Sequence, residues 1–264
     1  MRILITGATG HLGQRLMSRG AAAGHDVTGT SRSLGLDIRS RPEVFAFFHG
    51  TSFDAVIHTA SARSDWDVVA TGAGHLAACF PEARFVHVSS DAIFAGRAGD
   101  EYDESERPDP VYRYGAAKAA AEEAVRAVSP GAAIVRTSLI LGGDGAHETL
   151  VHDLIAGRVD GALYTDMVRK PIHADDLADA LLELAATDHA GILNVAGADP
   201  INRYDLGVRI ARRDGLDPAA LKPGTIAETG LRLPTDVRLD ITKARSLLTT
   251  RLRGVDEFLP AGRS

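Results

Sequence analysis

The turn that joins the first predicted strand to the first predicted helix limits the fold of this chain more than any other segment. Residues 3–5 are an apolar run that predicts a buried strand, and the turn that follows contains Gly7, Gly10 and Gly13. In this position the first glycine permits a tight turn, the second lets the backbone approach a pyrophosphate, and the third allows close packing of helix on strand. With the positive end of the helix dipole, the turn predicts a dinucleotide site. A glycine-rich turn without a ligand is the alternative.

Short apolar segments alternate with helical segments along much of the chain. Such alternation predicts parallel strands covered by helices on both faces, with ligands at the carboxyl ends of the strands. We therefore expect an α/β fold, a doubly wound parallel sheet of the Rossmann type with a small C-terminal substrate-binding lobe. Residues 1–160 are assigned to the dinucleotide-binding core and residues 161–264 to the lobe, which is partly interleaved with the core. The predicted strands cover 3–5, 26–30, 55–58, 85–88, 132–136 and 192–195, and the predicted helices 11–23, 44–48, 66–80, 111–128, 175–186, 204–213 and 242–248.

Composition argues against several classes of function. The chain has 264 residues, a formal net charge of −6 and no basic run, so nucleic acid is not expected as a partner. Cys79 is the only cysteine, which excludes an intrachain disulfide and a cysteine-based zinc site. The histidines show no metal-ligand spacing, so no metal is expected. No apolar run has the length of a membrane span or a signal peptide, and we expect a cytoplasmic protein with no membrane partner.

The end of the second predicted strand bears on the choice of cofactor. A site that prefers NAD usually has a carboxylate there to bind the ribose hydroxyls, whereas this chain has Ser31 and Arg32. An arginine beside hydroxyl groups is suited to hold a 2′-phosphate, so NADP(H) is predicted as the preferred cofactor. NAD(H) is the alternative, because arginine is also common on exposed loops. Asp37 and Ile38 follow at a spacing suited to the adenine side of the site.

A serine, a tyrosine and a lysine form the candidate catalytic set. Tyr114 and Lys118 are four residues apart in a predicted helix, so they lie one above the other on one face. A buried ammonium group is costly without partners, and a cation beside tyrosine favours the phenolate form and makes the proton available. Ser90 ends a strand predicted to be central, where its hydroxyl is suited to bind a carbonyl oxygen. A lysine that extends past an aromatic ring and a serine in an ordinary turn are the alternatives.

These motifs together resemble the extended short-chain dehydrogenase/reductase family, and within it the dTDP-4-dehydrorhamnose reductase group. The resemblance runs in order over about the first 140 residues and is looser beyond them. The matching segments are 6–13 (TGATGHLG), 36–38 (LDI), 53–60 (FDAVIHTA), 85–91 (FVHVSSD), 93–94 (IF), the Tyr114 and Lys118 pair, 136–138 (RTS), 169–178 (RKPIHADDLA) and 232–234 (RLP).

The resemblance implies hydride transfer between a nicotinamide cofactor and a hydroxyl or keto carbon, often of a nucleotide sugar. It implies that Tyr114 is the general acid in reduction, that Lys118 binds the nicotinamide ribose and tunes Tyr114, and that Ser90 positions the carbonyl. It also places Ala60 and Ser61 along the cofactor groove. The full predicted cofactor set is Gly7, Thr9, Gly10, His11, Leu12, Gly13, Ser31, Arg32, Asp37, Ile38, Ala60, Ser61, Tyr114 and Lys118.

Two departures from the resembled group concern the substrate. Ala92 stands where the group usually has a tyrosine, and Leu139 stands where it usually has a tryptophan. Those aromatic residues contact the sugar in the group, so dTDP-4-dehydrorhamnose is predicted to be a poor substrate for this chain. The predicted substrate-binding residues are Ser90, Asp91, Ala92 and Leu139.

Three functions stay open on the sequence alone. The favoured one is an NAD(P)H-dependent reductase of a keto sugar nucleotide or a related carbonyl compound. A nucleotide-sugar epimerase or dehydratase would use the same tyrosine and lysine but would retain its cofactor through each turnover. A non-catalytic NADP-binding regulatory subunit would keep the dinucleotide fold, and the intact catalytic set counts against it. The expected partner is a small-molecule substrate, and a homodimer is the assembly that the resemblance implies.

Overall fold

The strands of the protein are short, and most lie in its first two thirds. The computed structural model describes residues 1–97, 99–143 and 145–261. The strands of these residues are β1 (Arg2–Thr6), β2 (Asp26–Thr30), β3 (Ala55–His58), β4 (Arg84–Val88), β5 (Glu101–Tyr102), β6 (Ala133–Arg136), β7 (Ile140–Leu141), β8 (Leu163–Tyr164), β9 (Val168–Arg169), β10 (Ile172–His173), β11 (Gly191–Asn194), β12 (Ile201–Asn202), β13 (Pro223–Gly224) and β14 (Arg238–Leu239).

The helices alternate with the strands of the first half and continue to the end of the described chain. They are α1 (His11–Ala22), α2 (Arg41–Phe47), α3 (Gly72–Cys79), α4 (Arg113–Val128), α5 (Ala146–Ile155), α6 (Ala174–Ala185), α7 (Arg203–Arg213), α8 (Ile226–Thr229), α9 (Thr242–Leu247) and α10 (Val255–Phe258). Single 3₁₀ turns lie at Arg32–Leu34, Asp91–Ile93 and Pro218–Ala220, and a π-helical segment, Asp67–Thr71, leads into α3.

Six strands form a parallel central sheet in the order β11-β6-β4-β3-β1-β2. From β1 the chain crosses to β2 on one side and then returns to β3 on the other, so the winding direction reverses between β1 and β3. A doubly wound sheet opens a crevice at such a switch point, beyond the carboxyl ends of the strands. The predicted fold, an α/β fold with a doubly wound parallel sheet, is confirmed.

Both faces of the central sheet are buried, which is why its strands are nearly continuous apolar runs. Ile5 points to one face, where Leu181 of α6 lies in the same apolar cluster. Leu4 points to the opposite face and clusters with Val125 of α4 and Leu76 of α3. Alternation along β1 therefore fixes which helices cover which face.

The C-terminal part contributes both to the central sheet and to a separate apolar cluster. β11 pairs with β6 in register from Gly191 opposite Ala133 to Asn194 opposite Arg136, so residues 191–194 complete the central sheet. A further cluster joins α5, α7 and α10, with Val151, Leu206 and Val255 among its members. The boundary at residue 160 stays a prediction.

Several element bounds differ slightly from those expected. The helix predicted at 66–80 begins as the π-helical segment. A Cβ at Gly72, the first residue of α3, would lie only 2.6 Å from Ile38 Cγ1, so the start of α3 packs unusually close to Ile38. The helix predicted from residue 111 begins at Arg113. Among the described residues, no helix combines the length and apolar character that a membrane crossing requires.

Candidate active site

The glycine-rich turn has the geometry that its sequence predicts. Gly7 has a φ of +74°, a value that favours glycine, and its carbonyl accepts a hydrogen bond of 2.9 Å from the Gly10 amide. A Cβ at Gly13 would lie 2.1 Å from Gly7 O, so only glycine lets α1 pack against the turn. A Cβ at Gly10 would meet only Gly7 O, at 3.3 Å, so this position leaves a backbone cradle facing the groove.

The turn borders a groove of about 580 Å³ at the switch point of the sheet. The predicted cofactor residues that line the groove are Gly7, Thr9, Gly10, Ser31, Arg32, Asp37, Ile38, Ala60 and Ser61. Lining residues that the sequence analysis did not name include Thr30, Thr59 and Val68. Thr30 Oγ1 is buried and has no hydrogen-bond partner in the described part of the chain, so the groove presents an unsatisfied polar atom to a ligand.

The part of the groove that follows β2 contains one arginine, Arg32, and one aspartate, Asp37. Ser31 and Ser33 are joined by a hydrogen bond of 2.9 Å between their hydroxyls, and Arg32 between them is exposed. Asp37 accepts a hydrogen bond of 2.9 Å from Arg39 Nε, and this bond lowers the pKa of the Asp37 carboxyl to about 2. Because Arg39 already pairs with Asp37, Arg32 is the cation that is available beside the two serines.

The predicted catalytic residues line a second pocket of about 480 Å³. Lys118 is 4% exposed, and its Nζ donates a hydrogen bond of 2.9 Å to the carbonyl oxygen of Val88, at the end of β4. Ser90 Oγ accepts a hydrogen bond of 3.2 Å from the Ala92 amide and donates one of 3.3 Å to Asp91 Oδ1. The structure thus brings the end of β4 and the inner face of α4 together at one pocket.

Gly115 explains how these two elements come so close. A Cβ at residue 115 would lie 2.0 Å from the carbonyl oxygen of Ala92, so only glycine lets α4 approach the turn that carries Ser90. Gly115 lies directly after Tyr114 and was not singled out in the sequence. The close approach holds Tyr114 and Ser90 at the same pocket.

Asp91 binds two other residues that line the pocket, Ser138 and Arg169. Its Oδ2 accepts a hydrogen bond of 2.7 Å from Ser138 Oγ and lies 3.4 Å from Arg169 Nε. Arg169 also donates a hydrogen bond of 2.9 Å to the carbonyl oxygen of Pro234, which belongs to the pocket wall. Asp91 therefore links the segment after β4 to the C-terminal part of the chain.

Part of the pocket wall is apolar. Ala92 and Leu139, which were predicted from the sequence, both line it. The apolar residues that sequence reasoning missed include Ile140, Ala146, Leu150, Met167, Leu233 and Pro234. Their positions depend on packing between segments that are distant in sequence, for which the sequence carries no local signal.

Positive charge dominates the polar part of the pocket. Arg63, Arg169 and Arg203 line it with Lys118, and Asp91 is the carboxylate among the described lining residues. The guanidinium of Arg63 lies over the ring of Tyr114, 5.5 Å from its centroid. Neither Arg63 nor Arg203 was named from the sequence.

The remaining predicted residues lie at or behind the two cavities. His11 and Leu12 line the catalytic pocket rather than the groove, while Gly13 packs behind the turn. Thr59 and Ser61 line both cavities, so the groove and the pocket are contiguous. In the described ranges, no three His, Cys, Asp or Glu side chains group as a metal site.

Comparisons with known proteins agree with this geometry. The family described as RmlD substrate binding domain matches residues 1–261. The dTDP-4-dehydrorhamnose reductase of Mycolicibacterium smegmatis is 35% identical over 240 residues, which are 84% of this chain and 72% of that protein. A Streptomyces antibioticus protein, named a probable dTDP-4,6-dihydroxy-2-methyloxan-3-one 4-ketoreductase, is 29% identical over 245 residues and matches 85% of this chain and 81% of its own.

A solved structure shares the whole fold. The crystal structure of dTDP-4-dehydrorhamnose reductase from Bacillus anthracis, in complex with NADP, aligns with a TM-score of 0.86 at 24% identity. The alignment covers 98% of this chain and 97% of that one, so it includes both the central sheet and the C-terminal part.

Proposed function

The chain belongs to the RmlD substrate binding domain family, and from that premise we propose that it reduces the keto group of a sugar nucleotide with hydride from NADPH. It is an NAD(P)-dependent oxidoreductase of the extended short-chain type, like its Mycolicibacterium smegmatis relative. The residues that carry the reaction, the preferred cofactor and the particular sugar are the finer parts of the proposal.

One observation supports the proposed chemistry above all others. The groove beside the glycine-rich turn opens into the pocket that holds Ser90, Tyr114 and Lys118, and Thr59 and Ser61 line both. A dinucleotide that extends from the turn toward Ser61 would bring its nicotinamide end to the catalytic set. The backbone cradle at Gly10 fits the pyrophosphate of such a ligand.

The side chains of the pocket match the needs of carbonyl reduction. A nicotinamide cofactor held in the groove would supply the hydride that the keto carbon accepts. The hydroxyl groups of Ser90 and Tyr114 donate hydrogen bonds to the carbonyl oxygen, and Tyr114 transfers its proton to that oxygen as negative charge develops there. Lys118, anchored on the carbonyl of Val88, places a positive charge beside Tyr114 that stabilises the phenolate left behind.

The cofactor proposed is NADP(H), with NAD(H) as the alternative. Arg32 and the hydroxyls of Ser31 and Ser33 lie at the end of β2, where a carboxylate for the ribose hydroxyls of NAD would otherwise be expected. Thr30 Oγ1 beside them lacks a partner within the described residues. The Bacillus anthracis neighbour, whose complex contains NADP, supports the same choice.

The sugar proposed is a 4-keto sugar other than dTDP-4-dehydrorhamnose. Ala92 and Leu139 give the pocket an aliphatic wall, with Leu150 and Leu233 beside them. The Streptomyces antibioticus relative, named as a ketoreductase of another dTDP-linked sugar, is consistent with variation of the sugar within the group. We also propose that the enzyme is cytoplasmic and acts on a small molecule rather than nucleic acid. We further propose that it forms a homodimer, and light scattering can measure its mass in solution.

A panel of sugar nucleotides tests the proposed function. Purified protein would be mixed with NADPH or NADH and with individual dTDP- and UDP-linked 4-keto sugars, and loss of reduced cofactor would be recorded. We expect NADPH to be consumed with at least one 4-keto sugar, and poorly with dTDP-4-dehydrorhamnose. Tightly retained cofactor with no net consumption, while the sugar is converted, would indicate an epimerase or dehydratase. Cofactor binding without any conversion would indicate a regulatory subunit.

A further inference from the structure

Arg203 is a buried cation that the proposed reaction does not use. It is the first residue of α7 and is 8% exposed, and it lines the catalytic pocket. Its Nη1 is buried without a hydrogen-bond partner in the described part of the chain. Burial first, and then the charges of Arg169 and Arg63, lower the pKa of Arg203 to about 10. A guanidinium in this position is costly unless an anion compensates its charge.

The surroundings of Arg203 add to this cost. The N-terminus of a helix carries partial positive charge, so a cation at the first position of α7 is repelled by the helix itself. Asp91 is the carboxylate among the described lining residues, and it already binds Arg169 and Ser138. Among the described residues, the carboxylate of Asp91 therefore offsets the charge of Arg203 only in part.

Arg63 provides a second cation in the same pocket. It projects from the segment that follows β3, and its guanidinium lies against the ring of Tyr114. Burial, followed by the charges of Arg203 and Arg63, holds the pKa of His147 well below its usual range, so this neighbouring imidazole is neutral and adds no competing charge. Two guanidinium groups thus face a cavity whose remaining wall is largely apolar.

We propose that Arg203 and Arg63 together bind the diphosphate of the sugar nucleotide, and that Arg203 contributes most to the preference for ligands with a diphosphate. The inference rests on the proposed function, since it assigns the anionic part of the same substrate. A diphosphate has two adjacent anionic groups, and guanidinium groups bind phosphate oxygens through paired, charge-assisted hydrogen bonds. An anion at this point also gains from the amides and the dipole at the start of α7. The pyrophosphate of the cofactor is distinct, because its place is the glycine-rich turn.

Calorimetric titration tests the proposal on protein saturated with NADPH, so that the cofactor groove is filled. Inorganic pyrophosphate and dTDP should bind, and thymidine, which lacks phosphate, should bind at least roughly tenfold more weakly. Arg203→Met should weaken the binding of both anions by roughly 10- to 100-fold, and Arg63→Met by a smaller factor. Arg212→Met, at an exposed position of the same helix, is the matched control and should bind like the wild type.

Thermal unfolding supplies a readout that a merely structural arginine would not give. Without anion, Arg203→Met should be at least as stable as the wild type, because an uncompensated buried charge is removed. Its stabilisation by pyrophosphate should be lost. Wild-type affinity for dTDP in both variants would overturn the proposal. If Arg203→Met does not fold, Arg63→Met decides, since unchanged anion binding in that variant would also overturn it.

The design separates this proposal from the proposed function. Pyrophosphate binding that depends on Arg203, in a protein that reduces no keto sugar, would leave the anion site standing and remove the reductase. Reduction of a keto sugar nucleotide with an unchanged Michaelis constant in Arg203→Met would keep the reductase and remove the anion site.

Discussion

The cofactor groove and the catalytic pocket differ in how the chain builds them. The groove is lined by three short segments that follow β1, β2 and β3, and the glycine-rich turn supplies backbone amides rather than charge. The pocket gathers residues from His11 to Pro234, including three arginines and an apolar wall. The residues of the cofactor groove therefore come from a few short segments, whereas those of the pocket, which is proposed to select the substrate, come from distant segments.

The largest effect is expected where the two regions meet. Tyr114→Phe removes the proton but keeps the ring, so the turnover rate should fall by roughly 10²- to 10⁴-fold. The Kd for NADPH should stay close to that of the wild type, because the groove itself is unchanged. Stopped-flow measurement of NADPH oxidation, with NADPH binding measured separately, checks both parts. A wild-type rate for Tyr114→Phe under conditions where chemistry limits turnover would refute the proposed catalytic role.

A smaller effect should be confined to the groove. Arg32→Ala should weaken NADPH binding by roughly 10- to 100-fold, which corresponds to the loss of a charge-assisted hydrogen bond of about 1.5–3 kcal/mol. NADH binding should change little, because NADH lacks the 2′-phosphate. Fluorescence titration with both cofactors gives the comparison. Tighter binding of NADH than of NADPH by the wild type would contradict the assignment of Arg32.

Two glycines allow each region to be damaged separately. A Cβ at Gly13 would lie 2.1 Å from Gly7 O, and one at Gly115 would lie 2.0 Å from Ala92 O. Each alanine substitution should cost about 1–3 kcal/mol of stability through overpacking. In protein that remains folded, Gly13→Ala should mainly raise the Kd for NADPH, and Gly115→Ala should mainly lower the turnover rate. Denaturant unfolding and kinetics measure this, and equal damage to both regions by either variant would count against their separation.

The smallest effect concerns the pH dependence of stability, which two buried histidines of the central sheet should cause. His58 and His87 are fully buried and stacked, with ring centroids 5.3 Å apart. Burial lowers the pKa of His58 to about 3 and holds that of His87 well below its usual range. The unfolded chain therefore binds more protons, and stability is lost as the pH falls below about 6.5, by at most about 1.4 kcal/mol per pH unit for each histidine.

His87→Phe tests this acid sensitivity. Neither ring nitrogen of His87 has a hydrogen-bond partner in the described part of the chain, so phenylalanine removes a titrating group without breaking a hydrogen bond. Urea unfolding at pH 6 and pH 5 should show a shallower loss of stability in the variant. An unchanged slope would mean that His87 does not contribute to it.

The same contrast explains what the sequence could predict. Strand–helix alternation, the glycine-rich turn and the spacing of Tyr114 and Lys118 are local patterns, so the sheet, much of the groove lining and the helix that carries Tyr114 and Lys118 were predicted. Arg203 was missed, because it directly follows the two-residue strand β12 and no local periodicity shows that α7 begins at the pocket beside β4 and α4. β11 was expected at 192–195 and lies at Gly191–Asn194, but its place beside β6 depends on pairing between distant segments.

Hydride transfer itself tests the central claim most directly. NADPH carrying deuterium at nicotinamide C4 would be incubated with each 4-keto sugar nucleotide of the panel, and the products analysed by mass spectrometry and NMR. We predict that one sugar acquires deuterium at the former keto carbon, in step with the NADP⁺ formed. A sugar that is isomerised or dehydrated without net NADP⁺ formation, or a panel in which no sugar acquires deuterium, would contradict the account.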